Sequence, residues 1–179
     1  MRETFARVSV TLMSIESRMT RCPRPFAPDV GQEALTRLPG LSPALAELIV
    51  GTAGSSPYLK GLIEGQADWV AQAMSDPDAA LNGVFEQIRA VPPDELHSAL
   101  RQAKARVALL TALCDLAGVW PLEKVTGALT DLGGLACDLA LKAEIAKLIK
   151  RGKLPGQSEA DVAEAAGLSV LAMGKMGAH

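Results

Sequence analysis

The chain of 179 residues is long enough for one ordinary domain with its own hydrophobic core. Its 18 basic and 20 acidic residues give a formal net charge of −2, so no basic excess points to nucleic acid or to an anionic membrane surface. Apolar residues make up 49% of the chain and aromatic residues only 3%, a composition typical of packed helices rather than strands. We expect a globular, mainly α-helical protein.

The first 40 residues are predicted to be an extended, loosely attached arm. Pro23, Pro25 and Pro28 lie close together there and oppose helix continuation. The helical region is predicted to span residues 41–153, and it opens at Ser42-Pro43, a serine N-cap followed by proline in the first turn. Short helical pieces follow, so this half predicts a small bundle of short helices.

Two long helices are predicted in the second half of this region. The first spans residues 94–117, where apolar residues recur at steps of four and three: Leu96, Leu100, Ala103, Val107, Leu110, Cys114 and Ala117. Pro121 can open the next helix, whose apolar stripe runs over about residues 131–150. A short turn joins the two, so we expect them to pack antiparallel. Gly133-Gly134 indicates a break near the start of the second helix or a close helix contact.

The cysteines and the apolar runs of the sequence indicate the cellular compartment in which the protein is expected. Cys22, Cys114 and Cys137 show no Cys-x-x-Cys spacing, so neither a disulfide framework nor a zinc site is indicated; Cys114 and Cys137 are expected to be buried. The apolar run that ends at Cys114 stops far short of the roughly 20 residues of a membrane span. Residues 8–13 are too short and too polar for a signal sequence. We expect a cytoplasmic protein that enters no membrane.

The last segment, residues 154–179, differs from the rest of the chain. Residues 167–173 predict a buried β-strand that runs into Gly174-Lys175-Met176-Gly177. Glycines beside a lysine at a strand end suggest a backbone that approaches phosphate, because glycine lets main-chain N–H groups come close. The P-loop pattern fails at Ser169 and Met176, and the dinucleotide pattern also fails at Met176.

The segment instead resembles the start of the nucleotidyltransferase signature in the bacterial glutamine synthetase adenylyltransferase/adenylyl-removing enzymes, whose strand ends in Gly-Lys-Leu/Met-Gly. Residues 101–117 resemble that family's basic-then-apolar helix, and Leu122-Glu123-Lys124-Val125-Thr126 resembles its Leu-Glu-Glu-Val-Thr segment. Cys22-Pro23-Arg24-Pro25-Phe26 resembles an N-terminal lead of some members. The resemblance covers residues 21–179 in the family's order.

This resemblance implies a helical bundle that ends at the first strand of a truncated α+β nucleotidyltransferase domain. It implies the N-terminal part of an enzyme that regulates glutamine synthetase by reversible adenylylation, in the half that removes AMP from a tyrosine by phosphorolysis. Gly174, Lys175 and Gly177 would then bind nucleotide or phosphate. The family's Mg²⁺ is held by an Asp-x-Asp pair that follows the glycine turn and is not found there in this chain. We therefore expect no catalytic residue, no metal ligand and no activity in the chain alone.

The implied partners are glutamine synthetase and, in the full-length enzyme, nucleotide (ATP or ADP) and phosphate. Whether the helical region binds the PII regulatory protein is left open by the sequence. Arg101, Lys104 and Arg106 would form a face that contacts nucleotide or glutamine synthetase, or one that is only solvated. The alternative function is a non-catalytic helical interaction module in which the Gly-Lys-Met-Gly segment is incidental.

Overall fold

The computed structural model describes residues 13–174, and these residues are mainly helical. They form eight α-helices, numbered here in chain order: α1 Ile15–Arg18, α2 Pro28–Leu35, α3 Pro43–Ala53, α4 Pro57–Gly65, α5 Ala67–Ala73, α6 Pro77–Ala90, α7 Leu96–Leu116 and α8 Leu122–Lys150. Two short 3₁₀ helices, Glu159–Val162 and Ala165–Gly167, follow α8. The predicted mainly α fold is confirmed.

Local start signals explain the short helices. The side chains of Ser42, Ser56 and Asp76 cap α3, α4 and α6 by accepting hydrogen bonds from the backbone N–H three residues later, at 3.4, 3.2 and 2.9 Å. Proline follows each cap at the first helical position, where its missing N–H costs nothing. The chain therefore enters each short helix at a defined residue.

The central element of the core is α7. Its side chains at Val107, Leu110, Leu113 and Cys114 are fully buried. The helix contacts α3, α4, α5, α6 and α8. The periodic stripe therefore predicted this helix correctly, and its contacts with five other helices place it at the centre of the core.

The second long helix begins earlier than the sequence indicated. Pro121 is its extended N-cap residue, and α8 continues without interruption from Leu122 through both glycines to Lys150. A Cβ added at Gly134 would meet nothing within 4 Å, so this glycine marks neither a break nor a close contact. Ala128 and Leu132 are buried in the same core as α7, and this packing outweighs the cost of about 1 kcal/mol per glycine.

The prediction that residues 1–40 form an extended, loosely attached arm is wrong for residues 13–40, the part of this segment that the structure describes. It contains α1 and α2, and Ile15 and Ala34 are fully buried. The prolines were misread because Pro28 occupies the first position of α2, where proline favours a helix. Gly31 lets α2 approach α3 closely: a Cβ there would lie 2.2 Å from the Val50 carbonyl oxygen.

Residues 19–27, here called the strap, lie along the ends of α7 and α3. The backbone N–H of Thr20 donates to the Ala117 carbonyl at 2.9 Å, and that of Ala27 donates to the Gly54 carbonyl at 2.8 Å. A Cβ added at Gly51 would lie 2.0 Å from the Pro23 carbonyl oxygen. The strap is thus hydrogen-bonded at both of its ends to the C-terminal ends of α7 and α3, and between them it packs directly on the backbone of α3.

The C-terminal part of the described chain packs mainly against α8. The two 3₁₀ helices contact α8 and each other. Residues 168–173 then run without regular structure, and Leu171 and Met173 are 85% and 87% exposed. Residues 13–174 contain no strand, so the predicted strand is not confirmed there; a strand needs a neighbour for its backbone hydrogen bonds, and these residues offer none.

Between residues 13 and 174 no helix combines the length and the hydropathy that crossing a bilayer requires.

Candidate functional site

The predicted phosphate-binding turn begins at the last described residue. Gly174 has a φ of +66°, a left-handed conformation that favours glycine. Open space surrounds it, since a Cβ there would meet nothing within 4 Å. Lys175 and Gly177 lie outside the described residues. The backbone at Gly174 has the conformation expected of a glycine turn, and a phosphate contact by the three residues stays a prediction.

An open groove of about 630 Å³ leads along α8 to this turn. One wall is the face of α8 that carries Cys137, Asp138 and Lys142, and the other wall is formed by residues 168–173. Lys142 and Asp138 form an ion pair at 3.0 Å, so the charges of this wall neutralise each other. Glu164 and Ser169 add two more polar groups to the lining, and its other residues are apolar or glycine, so the groove offers mainly surface for packing.

The sequence contains one Asp-x-Asp pair, at Asp76-Pro77-Asp78, far before the glycine turn. Asp76 caps α6, and Asp78 forms ion pairs with Arg18 at 2.9 Å and with Lys124. A carboxylate that already has two cationic partners is a poor ligand for Mg²⁺. Among residues 13–174 no group of three or more His, Cys, Asp or Glu side chains is placed to hold a metal ion. This pair therefore joins α1, α6 and α8 and does not correspond to the family's metal site.

The basic residues of α7 do not form the single face that the sequence suggested. Arg101 and Lys104 are exposed, whereas Arg106 is half-buried. The Arg106 guanidinium lies over the Trp69 ring, 5.2 Å from the ring centroid. Sequence reasoning missed this pairing because Trp69 is on a different helix. Trp120 lies in the turn between the two long helices, and it is 4% exposed.

The three cysteines differ in environment. Cys114 is fully buried, and burial raises the pKa of its thiol to about 12. Cys22 is exposed, and partial burial of its thiol together with the Glu47 charge raises its pKa. Cys137 is also exposed, so the predicted burial of this residue is wrong; the residue lies on the groove side of α8.

We expect alkylation to separate these thiols. At pH 8, iodoacetamide should modify Cys137 first and Cys22 more slowly, because a raised thiol pKa leaves less reactive thiolate. Cys114 should react only after unfolding, since its thiol is both inaccessible and protonated. Peptide mass spectrometry with and without urea measures this. Modification of Cys114 in the native chain at the rate of Cys137 would contradict the structure.

A family sequence model and several curated proteins match most of this chain. The sequence model of the family described as glutamate-ammonia ligase adenylyltransferase matches residues 32–179. The bifunctional glutamine synthetase adenylyltransferase/adenylyl-removing enzyme of Bradyrhizobium sp. (strain BTAi1) is 35% identical over 92% of this chain and 19% of its own length. The same-named protein of Bradyrhizobium diazoefficiens is 43% identical over 73% of this chain and 14% of its own.

The chain thus spans less than a fifth of the length of these relatives. No solved structure matches it. The family match covers the second half of α2, all of α3 to α8 and the whole tail, including Gly174, Lys175 and Gly177. By this match, the chain belongs to the glutamate-ammonia ligase adenylyltransferase family.

Proposed function

We propose that this chain is the helical part of the adenylyl-removing half of an enzyme that regulates glutamine synthetase by reversible adenylylation. The observation that carries the proposal is the family match over residues 32–179, which joins the two long helices and the glycine turn in one family sequence. The choice of the adenylyl-removing half rests on the lead at residues 22–26, which resembles the N-terminal lead of some members. The strap that contains this lead is an integral part of the helical fold.

The glycine turn is the proposed point of contact with nucleotide or phosphate. Glycines at 174 and 177 would let backbone N–H groups approach phosphate oxygens, and Lys175 would add a positive charge beside them. In the full-length enzyme the ligands would be ATP or ADP and phosphate. Mg²⁺ would supply charge neutralisation on the phosphate, and we assign none of its ligands to this chain, since the described carboxylates form no cluster that fits it.

Glutamine synthetase is the proposed protein partner, and α7 offers exposed positive charge for it at Arg101 and Lys104. Binding of the PII regulatory protein by the helical region is a further partner to test. The alternative, a helical module without a catalytic role, predicts protein binding and no link to nucleotide. The two proposed functions therefore make different predictions for the glycine turn: only the enzyme function predicts that the turn binds phosphate compounds.

We expect the 179-residue chain to have no adenylyl-removing activity of its own. Phosphorolysis would cleave the bond between AMP and the tyrosine oxygen, transfer AMP to phosphate as ADP, and return the tyrosine hydroxyl. This step needs metal ions, held by carboxylates, to neutralise the charge on the reacting phosphate, and the 179 residues contain no Asp-x-Asp pair after the glycine turn to hold them. The measurement is ADP release from adenylylated glutamine synthetase with phosphate and Mg²⁺.

The full-length relative from Bradyrhizobium diazoefficiens serves as the positive control. An excess of the 179-residue chain should also lower the rate of this relative, because the chain would compete for glutamine synthetase. ADP release by the chain alone would contradict the expected inactivity. Failure of the chain to compete at any concentration would argue against glutamine synthetase as a direct partner of these helices.

A further inference from the structure

A polar pocket of about 440 Å³ lies where the junction of α4 and α5 meets the middle of α7. Its lining residues lie between positions 37 and 106, far from the glycine turn in sequence. Its charged and aromatic lining is supplied by Arg37, Glu64, Asp68, Trp69 and Arg106, and Gln66 and Gln102 complete the polar lining. None of these residues belongs to the predicted phosphate-binding turn. The pocket thus carries its own set of charged groups.

Arg106 is held in this pocket by neutral partners. Its Nε donates to Gln66 Oε1 at 3.3 Å, and its Nη1 donates to Gln87 Oε1 at 3.1 Å, while the guanidinium stacks over Trp69. Burial lowers the pKa of Arg106, but an arginine stays charged in a protein at neutral pH. Within the described residues, no carboxylate forms an ion pair with Arg106. The structure thus fixes a partly desolvated positive charge in one orientation without a counter-ion.

The other charges of the pocket are of both signs. Glu64 pairs with Lys60, whose Nζ lies 2.5 Å from Glu64 Oε1 and 3.2 Å from Glu33 Oε2, so the two carboxylates share one lysine. Arg37 is a second guanidinium at the pocket, and it too forms no ion pair within residues 13–174. Asp68 is the remaining carboxylate, and it is exposed. Within the described residues the pocket therefore has two guanidinium groups without an ion pair, one unpaired carboxylate at Asp68, and a second carboxylate, Glu64, that shares its lysine with Glu33.

We propose that this pocket binds a small oxyanion, a carboxylate or a phosphoryl group, between the guanidinium groups of Arg106 and Arg37. The planar fork of arginine matches the paired oxygens of both groups. Arg106 keeps its Nη2 amino group free of hydrogen bonds to the described residues, and the two glutamines and Trp69 hold that group in place. This site goes beyond the proposed function, since no step of adenylyl removal requires it.

Anion titration followed by NMR of the ¹⁵N-labelled 179-residue chain tests the proposal. Sodium phosphate and sodium glutarate are added in separate titrations at constant ionic strength set with NaCl, because salt screens exposed charges. The readouts are the Nε–H signal of Arg106 and the indole N–H signal of Trp69. A Trp120→Phe variant distinguishes the two indoles. We expect saturable shifts of both signals and no shift of the Trp120 indole.

Charge-matched variants decide whether the pocket is responsible. Arg106→Gln should weaken anion binding by about tenfold or more, since a charge-assisted hydrogen bond is lost. Lys104→Gln removes one exposed positive charge from the same helix and should leave binding unchanged. Arg37→Gln, a substitution at an exposed position, should also weaken binding. If the Arg106 variant fails to fold, the Arg37 variant still tests the pocket, because binding to it can be followed by the Trp69 indole signal.

The two probes also identify the ligand. Saturation by phosphate alone would assign the pocket to a phosphoryl group, saturation by glutarate alone to a carboxylate, and either result supports an oxyanion site. Shifts that stay linear with concentration for both anions would overturn the proposal. An equal loss of binding in Lys104→Gln and Arg106→Gln would do the same, because it would reflect general charge rather than the pocket.

Discussion

Leu110→Ala is expected to bring the folded chain close to unfolding. Leu110 is fully buried in α7, the helix that contacts five others. Removing its side chain loses the transfer free energy of the buried carbons and leaves a cavity, at a cost of about 2 to 5 kcal/mol. A whole domain has a total stability of only about 5 to 15 kcal/mol. Urea unfolding followed by circular dichroism should show a large fall in the midpoint with an unchanged slope.

Two leucines serve as matched controls for Leu110→Ala. Leu171 is 85% exposed in the segment after the last 3₁₀ helix, and Leu129 is 47% exposed on α8. Alanine at either position should change the free energy of unfolding by about 1 kcal/mol or less, because little buried surface is lost. A loss at Leu171 equal to that at Leu110 would mean that residues 168–173 pack firmly against the chain.

The parts of the fold that sequence predicted are those encoded by local pattern. The steps of four and three in α7 predicted that helix within two residues at its start, and Ser42-Pro43 predicted the start of α3. The arm was mispredicted because the same prolines that oppose a continuing helix also favour the start of a new one. Only the contact of α2 with α3, which is tertiary, decides between these two outcomes.

The candidate site shows the same limit. The glycine turn was predicted from residue types, and Gly174 has the positive φ that such a turn requires. The grouping of Arg106 with Trp69 could not be read from spacing, because two helices have to cross before the side chains meet. Cys137 was expected to be buried because it lies beside the apolar stripe of α8. Leu132 of that stripe is buried, but Cys137 lies on the exposed side of the helix.

The second large effect is expected at Gly31, where α2 crosses α3. A methyl group at Gly31 would lie 2.2 Å from the Val50 carbonyl oxygen and 2.9 Å from its carbonyl carbon. Both atoms belong to a helix backbone, so the clash can be relieved only by moving the two helices apart. Overpacking of this kind costs about 1 to 3 kcal/mol, and occasionally more. Gly31→Ala should therefore lower the thermal midpoint, although alanine is the better helix former.

Gly61→Ala separates this clash from helix propensity. Gly61 is exposed within α4, and a Cβ there would meet nothing within 4 Å. The same substitution should therefore stabilise the chain by about 0.5 to 1 kcal/mol, since alanine has the smaller conformational entropy to lose. Thermal melts of the two variants should shift in opposite directions. A rise in the midpoint for both would mean that α2 is not held against α3, because only a helix free to move away can accept the methyl group without cost.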